Sequence, residues 1–442
     1  MEFTMDWDQL LEEATHYLQE YVRIQTVNPP GNETQGAKFL KRIFDENSIP
    51  CQIFEPLPGR GSILATLKGN GEKKPVLLLS HIDVVPVEKE DWEVDPFSGI
   101  IKDGFLYGRG AHDDKSMGII EMMVLLTLKR ERLPLKRDIL FLATADEETG
   151  GEWGVEWAVK NMPVLKESEY ALNEGGNILL SDEGLPDRYQ ISCGQKVIFQ
   201  LKLRMRGKSG HGSMPHSENP NVKLLQALEK VIHWETPYKI IPMVKEYFSK
   251  MALKQPLEDR IFFGDIEKGL TDPTFSKRLT SNIFYNAMVR DTISLTILQG
   301  GNKENVIPSQ STATLDCRLI PSSSKEDFLK EIKKRVGDEV EIETISESES
   351  VLPSPLDTDL FRAIQKYAGQ YDPNCPLVPH LLAGATDSRF LREAGIITYD
   401  FCPFRFTEEE LLRVHGNNER IAIENLRFGM KIMVDILKEI AT

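Results

Sequence analysis

The sequence is short of the features that mark membrane and disulfide-built proteins. None of its apolar runs approaches the about 20 residues that a helix needs to span a bilayer. Its five cysteines are scattered and have no CxxC spacing, which indicates thiols in a reducing compartment and not a disulfide framework. The first residues are acidic and lack the basic and apolar regions of a signal peptide, so we expect a cytoplasmic protein.

Positive charge is also in short supply. The chain has 53 Lys and Arg against 68 Asp and Glu, a net charge of −15. Because this sign repels phosphate groups, we expect neither a nucleic acid nor a membrane as a partner. The hydrophobic content of 40% is that of an ordinary globular protein. A chain of 442 residues is longer than a single hydrophobic core usually supports, which predicts two domains.

Two common catalytic loops are missing. The chain has no GxSxG, so a serine nucleophile elbow is not supported. Gly207-Lys208-Ser209 resembles the end of a phosphate-binding loop, but Lys202 stands where that loop requires glycine. The chemistry must therefore come from other residues.

Apolar strands alternate with helices over the first 189 residues. The runs Val76–Leu79 and Asp138–Ala145 are continuously apolar, which is typical of strands in a sheet covered on both faces. A helix at Ser116–Lys129 is apolar nearly all round and is expected to pack against that sheet. After residue 351 the same alternation returns. The pattern predicts an α/β catalytic domain with a mixed, mainly parallel sheet, built from residues 1–189 and 352–442.

Residues 190–351 follow a different pattern. Their strands and helices have the order βαββαβ, which predicts a small ferredoxin-like α+β domain inserted into the first. Within it, residues 236–290 are rich in Phe, Tyr, Met and Lys and are not needed by that module. We interpret them as a further, mostly helical insertion. Its aromatic and methionine content suggests an enlarged or apolar space for substrate, which favours N-acyl amino acids.

Acidic and imidazole side chains gather where the apolar strands end. His81 and Asp83 follow one strand and point the same way from it, so an imidazole there can gain a carboxylate that orients it. Any one of these residues taken alone is more often an ordinary surface residue than a functional one. Together they offer the nitrogen and oxygen ligands of a two-zinc site. The group consists of His81, Asp83, Asp113, Glu147, Glu148, Glu174 and His415.

A series of motifs then gives a resemblance. In order along the chain they are HIDVVP, DPFSG, GRGAHDDK, ATADEETGG, NEGG, GKSGHGSMP, GGNKENVIPS, GATDSRF and VHGNNE. The chain resembles the M20 family of metallopeptidases, which includes glutamate carboxypeptidases, succinyl-diaminopimelate desuccinylases, aminoacylases and dipeptidases. The resemblance implies that the inserted domain is a lid or dimerisation domain and that the protein can form a homodimer.

The resemblance also implies roles for the clustered residues. It implies two divalent metal ions, zinc in preference to cobalt or manganese, with Asp113 as the bridging ligand. His81 and Glu174 would complete one site, and Glu148 and His415 the other. Asp83 would orient His81. Glu147 would be the general base that acts on a metal-bridging hydroxide.

Further residues are expected to contact the substrate. His211, on the inserted domain, would stabilise the oxyanion, often from the partner subunit in this family; the alternative is a histidine in a flexible polar loop. Arg318 and Arg389 are candidates to bind a substrate carboxylate. The alternative for Arg318 is a salt bridge on a strand of the lid, and the alternative for Arg389 is a residue that caps a turn. Asn305, Gly384 and Thr386 complete the predicted substrate-binding set.

Two classes of function remain open at this stage. The first is a hydrolase that cleaves a peptide or N-acyl bond beside a free carboxylate. The shared motifs do not separate a carboxypeptidase or dipeptidase from an aminoacylase. The second is a catalytically inactive binding or scaffold protein on the same fold, for which a lost ligand or base would be expected. All the ligand and base positions are occupied by suitable residues, which favours the enzyme.

Overall fold

The computed structural model describes residues 5–442. It divides into two compact units. The first contains the chain up to Cys193 together with Ser354–His380 and Thr386–Thr442, and the second contains Gly194–Pro353 and Leu381–Ala385. Leu381–Ala385 therefore differ from their predicted place in the catalytic domain. The reason is local, since the backbone N–H of Lys196 donates to the carbonyl oxygen of Leu382 at 2.9 Å.

Most elements of the first unit precede the second unit in the chain. They are α1 (Trp7–Arg23), α2 (Glu33–Glu46), β1 (Cys51–Phe54), β2 (Ser62–Leu67), β3 (Val76–His81), β4 (Ile101–Lys102), β5 (Phe105–Tyr107), α3 (Lys115–Glu131), β6 (Ile139–Thr144), α4 (Trp157–Asn161), α5 (Pro163–Lys166), β7 (Tyr170–Asn173), β8 (Ile178–Leu180) and β9 (Pro186–Gln195). Helix α1 begins where the Asp6 carboxylate accepts two backbone N–H groups, as an N-cap does. Helix α3 is buried along almost its whole length, as its all-round apolar sequence predicts.

The second unit is built around an antiparallel sheet. Its elements are β10 (Val197–Arg206), β11 (Gly210–His211), α6 (Pro220–Ile232), α7 (Pro242–Met251), α8 (Arg260–Gly264), α9 (Ile266–Gly269), α10 (Pro273–Ser281), α11 (Ile283–Val289), β12 (Thr292–Gly300), β13 (Val306–Ile307), β14 (Gln310–Leu319), α12 (Lys325–Val336) and β15 (Val340–Glu347). The sheet order is β12-β14-β10-β15, and α6 and α12 pack on its buried face. This is the ferredoxin-like order that βαββαβ predicts.

The helices α7–α11 occupy the segment 236–290. Their aromatic rings pack on one another: Phe248 lies 5.4 Å from both Phe263 and Tyr285, and Phe263 lies 5.8 Å from Phe275, measured between ring centroids. These rings form a small core of their own. Packing thus accounts for these rings, whereas Phe284 of the same segment is 65% exposed.

The chain then continues in a final set of elements, which belong to the first unit except for the last two residues of β16. They are α13 (Asp359–Tyr371), β16 (Leu377–Leu382), α14 (Ser388–Glu393), β17 (Ile397–Asp400), β18 (Arg405–Phe406), α15 (Glu408–Leu411), β19 (Arg420–Ala422) and α16 (Ile423–Ala441). Within residues 5–442, no helix combines the length and apolarity required to cross a membrane.

The large sheet of the first unit brings distant chain segments together. Strands β6, β3, β7 and β17 are neighbours and run parallel, whereas β2 joins β6 antiparallel. Side chains of β3 and β6 are buried throughout, as predicted for strands covered on both faces. The α/β fold class with an inserted α+β domain is confirmed. Because the parallel strands end at one edge, the residues that follow them meet there.

Candidate metal centre

The candidate site forms at the carboxyl ends of the parallel strands. His81 ends β3 beside Thr144 of β6, so the turn that follows β6 lies next to it. Glu147 and Glu148 lie in that turn, and Glu174 directly follows β7. The neighbouring strands thus bring together residues that are far apart in sequence.

His81 is oriented through its Nδ1 atom. This atom lies 2.9 Å from the carbonyl oxygen of Asp83 and 3.6 Å from its carboxylate. The backbone carbonyl is therefore the nearer acceptor, which differs from the predicted carboxylate contact. With the proton on Nδ1, the lone pair of Nε2 faces Asp113 Oδ1 at 2.8 Å and Glu174 Oε1 at 3.6 Å.

The carboxylate of Asp83 binds the backbone of the turn that carries Glu147 and Glu148. It is fully buried and accepts the backbone N–H groups of Glu147 at 3.2 Å and Glu148 at 3.1 Å, as well as the amide of Asn28 at 2.8 Å. Burial opposes ionisation of this group, but the nearby His81 imidazole, together with the hydrogen bonds from Asn28 and from the backbone of Glu148, outweighs it and holds the pKa of Asp83 below its usual value. Asp83 thus fixes the Glu147–Glu148 turn against the end of β3.

A second group of potential metal ligands lies on the other side of Asp113. His415 Nε2 is 3.2 Å from Asp113 Oδ2 and 3.2 Å from Glu148 Oε2. The hydrogen bonds with these two carboxylates raise the pKa of His415 to about 10. The two oxygens of Asp113 therefore face different groups, one with His81 and Glu174 and one with Glu148 and His415.

The donor sets fit divalent cations. In each triad the potential ligand atoms lie within 4.8 Å of one another. Nitrogen and oxygen ligands about 2.0 Å from a tetrahedral zinc ion lie about 3.3 Å apart, close to the contacts of 2.8–3.6 Å described above. Burial raises the pKa values of Glu147 and Glu174 well above the usual value, as expected for carboxylates that need a cation beside them.

The predicted substrate-binding residues are distributed over both units. In the second unit, His211 and Asn305 are adjacent, because β11 pairs with β13 and the N–H of Gly212 donates to the carbonyl oxygen of Asn305 at 2.7 Å. Arg318 pairs with Asp316 at 2.8 Å, which is the salt bridge on a strand that was the alternative to a substrate contact. The guanidinium group of Arg318 therefore already has a carboxylate partner within the protein.

The remaining predicted positions lie near residues 381–389. Gly384 is exposed and belongs to the second unit, whereas Thr386 is buried in the first. Arg389 is half-buried and donates to the carbonyl oxygen of Gly150, at the end of the Glu147–Glu148 turn. This contact agrees with the alternative reading of Arg389 as a residue that caps a turn.

Glu419 was not among the predicted site residues, yet it supports the site directly. It is fully buried, and its carboxylate accepts the backbone N–H groups of His112 at 2.8 Å and Asp113 at 3.0 Å. Asp387 was also missed; it is buried, and burial raises its pKa to about 7. Asp387 lies within the quoted motif GATDSRF and Glu419 ends VHGNNE, but a single carboxylate in a loop gives no sign of its burial.

Comparison with known proteins identifies the family. A family model described as peptidase family M20/M25/M40 matches residues 77–439. The chain belongs to this family. The resemblance drawn from the motifs is therefore confirmed, and the family places the protein among the metal-dependent amide hydrolases.

Individual M20 relatives cover most of the chain. It is 29% identical over 415 residues to the N-fatty-acyl-amino acid synthase/hydrolase PM20D1 of Xenopus tropicalis, covering 91% of this chain and 79% of that protein. It is 28% identical over 433 residues to aminoacylase-1 of Sus scrofa, covering 96% and 94%. The M20 family metallo-carboxypeptidase Sso-CP2 from Sulfolobus solfataricus has the same fold, with a TM-score of 0.74 and 19% identity over 96% of this chain and 98% of that one.

Proposed function

We propose that this M20 protein is a two-zinc amidohydrolase that cleaves the amide bond of N-acyl amino acids, beside the free carboxylate of the amino acid. The observation that carries the proposal is the pair of triads that share Asp113. Each triad supplies three protein ligands and leaves a coordination position open, as catalytic zinc sites do. Cobalt or manganese would suit the same donors.

Five residues would hold the two cations. His81, Asp113 and Glu174 would bind one, and Asp113, Glu148 and His415 the other. When bound, the cations supply polarisation of the amide carbonyl and a water molecule of lowered pKa. The catalytic domain, residues 1–189 and 352–442 in the sequence-based division, contains all five.

The residue proposed to move the proton is Glu147. Its backbone N–H donates to Asp83, it directly precedes the proposed ligand Glu148, and it belongs to neither triad. Burial raises the pKa of this carboxylate, so in its ionised form, which the two cations would stabilise, it is a stronger base toward water than an exposed carboxylate. Glu147 would then deliver that proton to the leaving nitrogen.

His211 is proposed to stabilise the oxyanion. Its Nδ1 accepts the backbone N–H of Ser213 at 3.1 Å and lies 2.7 Å from the hydroxyl of Ser213. A neutral imidazole held in this way carries its proton on Nε2, as a donor to an oxyanion must. Asn305, next to His211, is proposed to contact the substrate, together with Gly384, Thr386, Arg389 and Arg318. Arg318 would have to leave Asp316 in order to pair with the substrate carboxylate.

A homodimer through the inserted domain is part of the proposal. Strand β12 is an edge of the four-stranded sheet, as seen in residues 5–442, and its backbone groups on that side have no strand partner. The outer side chains Ile297 and Leu298 are about half exposed, at 50% and 49%. A long, apolar edge of this kind suits pairing with the same strand of a second copy.

The dimer and the role of His211 are tested together. His211→Ala is expected to lower kcat by about 10²- to 10³-fold, since one oxyanion donor is lost. If His211 acts in the active site of the partner subunit, mixing this variant with inactive Glu147→Gln subunits restores about a quarter of the wild-type rate. Half of the randomly formed dimers are mixed, and one of the two sites in each mixed dimer has both residues. Rates are measured before and after subunit exchange, with each variant alone as the control. No gain in rate would argue against action across a dimer.

A hydrolysis screen tests the substrate class. Acetyl and long-chain N-acyl derivatives of one amino acid are compared with unblocked dipeptides that have the same C-terminal residue. We expect kcat/KM to be higher for the N-acyl series, in agreement with the activities named for PM20D1 and aminoacylase-1. Amidation of the substrate carboxylate is expected to lower kcat/KM about 10-fold or more, because a charge-assisted contact is lost. Preference for dipeptides would instead favour a dipeptidase or carboxypeptidase.

A further inference from the structure

A buried ion pair joins the two loops that carry Asp113 and His415. Arg109 Nη1 donates to Glu419 Oε2 at 2.6 Å, and the two side chains are 2% and 1% exposed. Arg109 follows β5 and Glu419 precedes β19, and these two strands pair with each other. The backbone N–H of Gly108 also donates to the carbonyl oxygen of Glu419 at 2.9 Å. The position of the ion pair is therefore fixed by the strands on which it stands.

Each member of the pair holds the backbone of one proposed ligand. Glu419 Oε1 accepts the N–H groups of His112 and Asp113 at 2.8 and 3.0 Å. Arg109 Nη2 donates to the carbonyl oxygen of His415 at 3.2 Å. A continuous path of hydrogen bonds thus runs from the backbone of Asp113, through Glu419 and Arg109, to the backbone of His415.

We infer that Arg109 and Glu419 are positioning residues that set the separation of Asp113 and His415, and with it the affinity of the second triad for its cation. The inference rests on the proposed metal-binding function. The second triad depends on the pair more than the first does. His81 and Glu174 are held by the ends of β3 and β7, whereas His415 lies in a loop with a left-handed φ of 59° and a side chain that is 52% exposed.

The carboxylate of Glu419 matches three donors at once. A carboxylate accepts several hydrogen bonds and carries the charge that balances Arg109. Glutamine has the same shape but offers one carbonyl oxygen and brings an NH₂ group against the same donors. Glu419→Gln is therefore expected to release the backbone of Asp113 and His112 while the fold of the two strands is kept.

The test measures zinc bound by the protein. Wild type and variants are loaded with Zn²⁺, equilibrated against graded Zn²⁺ buffers, and analysed for zinc per chain. Glu419→Gln is expected to weaken one of the two equivalents by about 10- to 100-fold, as loss of an orienting partner does, and to shift the other by less than about threefold. Arg109→Lys should change the same equivalent by less, since the ammonium keeps the charge but loses the planar fork that reaches two acceptors.

A matched control separates this effect from the general loss of an ion pair. Glu169 pairs with the buried Arg137 at 3.0 Å, and Glu169 precedes β7 at the strand end opposite to Glu174. Glu169→Gln should leave both zinc equivalents unchanged. The double variant Arg109→Met/Glu419→Gln removes both charges, so its unfolding temperature should exceed that of Glu419→Gln, which leaves Arg109 unbalanced.

The outcomes are distinct. If wild type does not bind two zinc ions, the proposed function is wrong, and so is the inference that rests on it. If wild type binds two and Glu419→Gln binds both with unchanged or equally shifted affinity, the positioning role is wrong. If the double variant recovers the affinity of the second equivalent along with its stability, the pair acts on stability alone, and the inference is again overturned. Persistence of the weak equivalent in a stable double variant supports it.

Discussion

Replacement of Glu147 by glutamine is expected to lower kcat by about 10²- to 10⁴-fold, the range that a general base contributes. The amide cannot take a proton from water, but it keeps the shape of the carboxylate. The backbone N–H of Glu147 still donates to Asp83, so the adjacent ligand Glu148 should stay in place. Steady-state kinetics and zinc content, measured on the same sample, check the expectation of two zinc ions and almost no turnover.

The control for this variant lies a few residues further on. Glu152 is an exposed carboxylate that follows the same turn, and Glu152→Gln removes the same charge from a side chain with no proposed role. It should retain the wild-type kcat. A Glu147→Gln enzyme that keeps more than about a tenth of the wild-type kcat, with its zinc in place, would show that another group takes the proton.

Replacement of Asp113 by asparagine is expected to have the largest effect on metal binding. One Asp113 oxygen faces His81 and the other faces His415, so the amide must turn its NH₂ group toward one of the two triads. Both cations also lose the negative charge between them. We expect zinc content to fall below one ion per chain and kcat/KM to fall by about 10³-fold or more, since metal polarisation supplies several kcal/mol.

Zinc analysis and hydrolysis rates measure this effect, with Asp91→Asn as the matched control. Asp91 is exposed, ends a short 3₁₀ helix (Lys89–Asp91) of the same unit and has no proposed role. This variant should bind two zinc ions and retain activity. Two tightly bound zinc ions in Asp113→Asn would contradict a bridging role, and full activity without any zinc would contradict the metal-dependent mechanism.

Sequence reasoning was most successful where a residue follows a long apolar run. The strand that ends at His81 and the strand before Glu147 are continuous in hydrophobicity, so their ends and the polar residues after them could be read directly. The parallel order of β6, β3 and β7 then accounts for the meeting of these residues. Helix α3 is similarly clear, and its observed bounds exceed the predicted ones by one residue at the start and two at the end.

Sequence reasoning failed where the outcome depends on a contact between distant loops. The partner of Nδ1 in His81 is the backbone of Asp83, and no pattern of side chains distinguishes a carbonyl from a carboxylate two residues away. The burial of Glu419 depends on Arg109, more than 300 residues earlier in the chain. Arg318 was suggested for a substrate carboxylate, but Asp316 lies on the same side of β14 and occupies its guanidinium group.

The aromatic residues of the segment 236–290 are another case in which the sequence did not predict side-chain contacts. The sequence suggested an enlarged or apolar space for substrate. Phe248, Phe263 and Tyr285 pack into the core of the segment itself, whereas Phe284 is 65% exposed, so the suggestion stays a prediction. Composition identified the number of large apolar side chains but not their neighbours. The preference for N-acyl substrates therefore draws its support from the M20 relatives and not from this segment.

The insertion of the second unit between β9 and α13 has a consequence for synthesis of the protein. The ribosome delivers His81, Asp113 and Glu174 first, so all residues of one triad have emerged before the second unit begins. The other triad lacks His415 until the whole second unit and most of the remaining chain have followed. Because domains form as the chain emerges, the two halves of the centre become available at different times. A nascent chain can therefore offer one complete set of ligands long before it can offer the other.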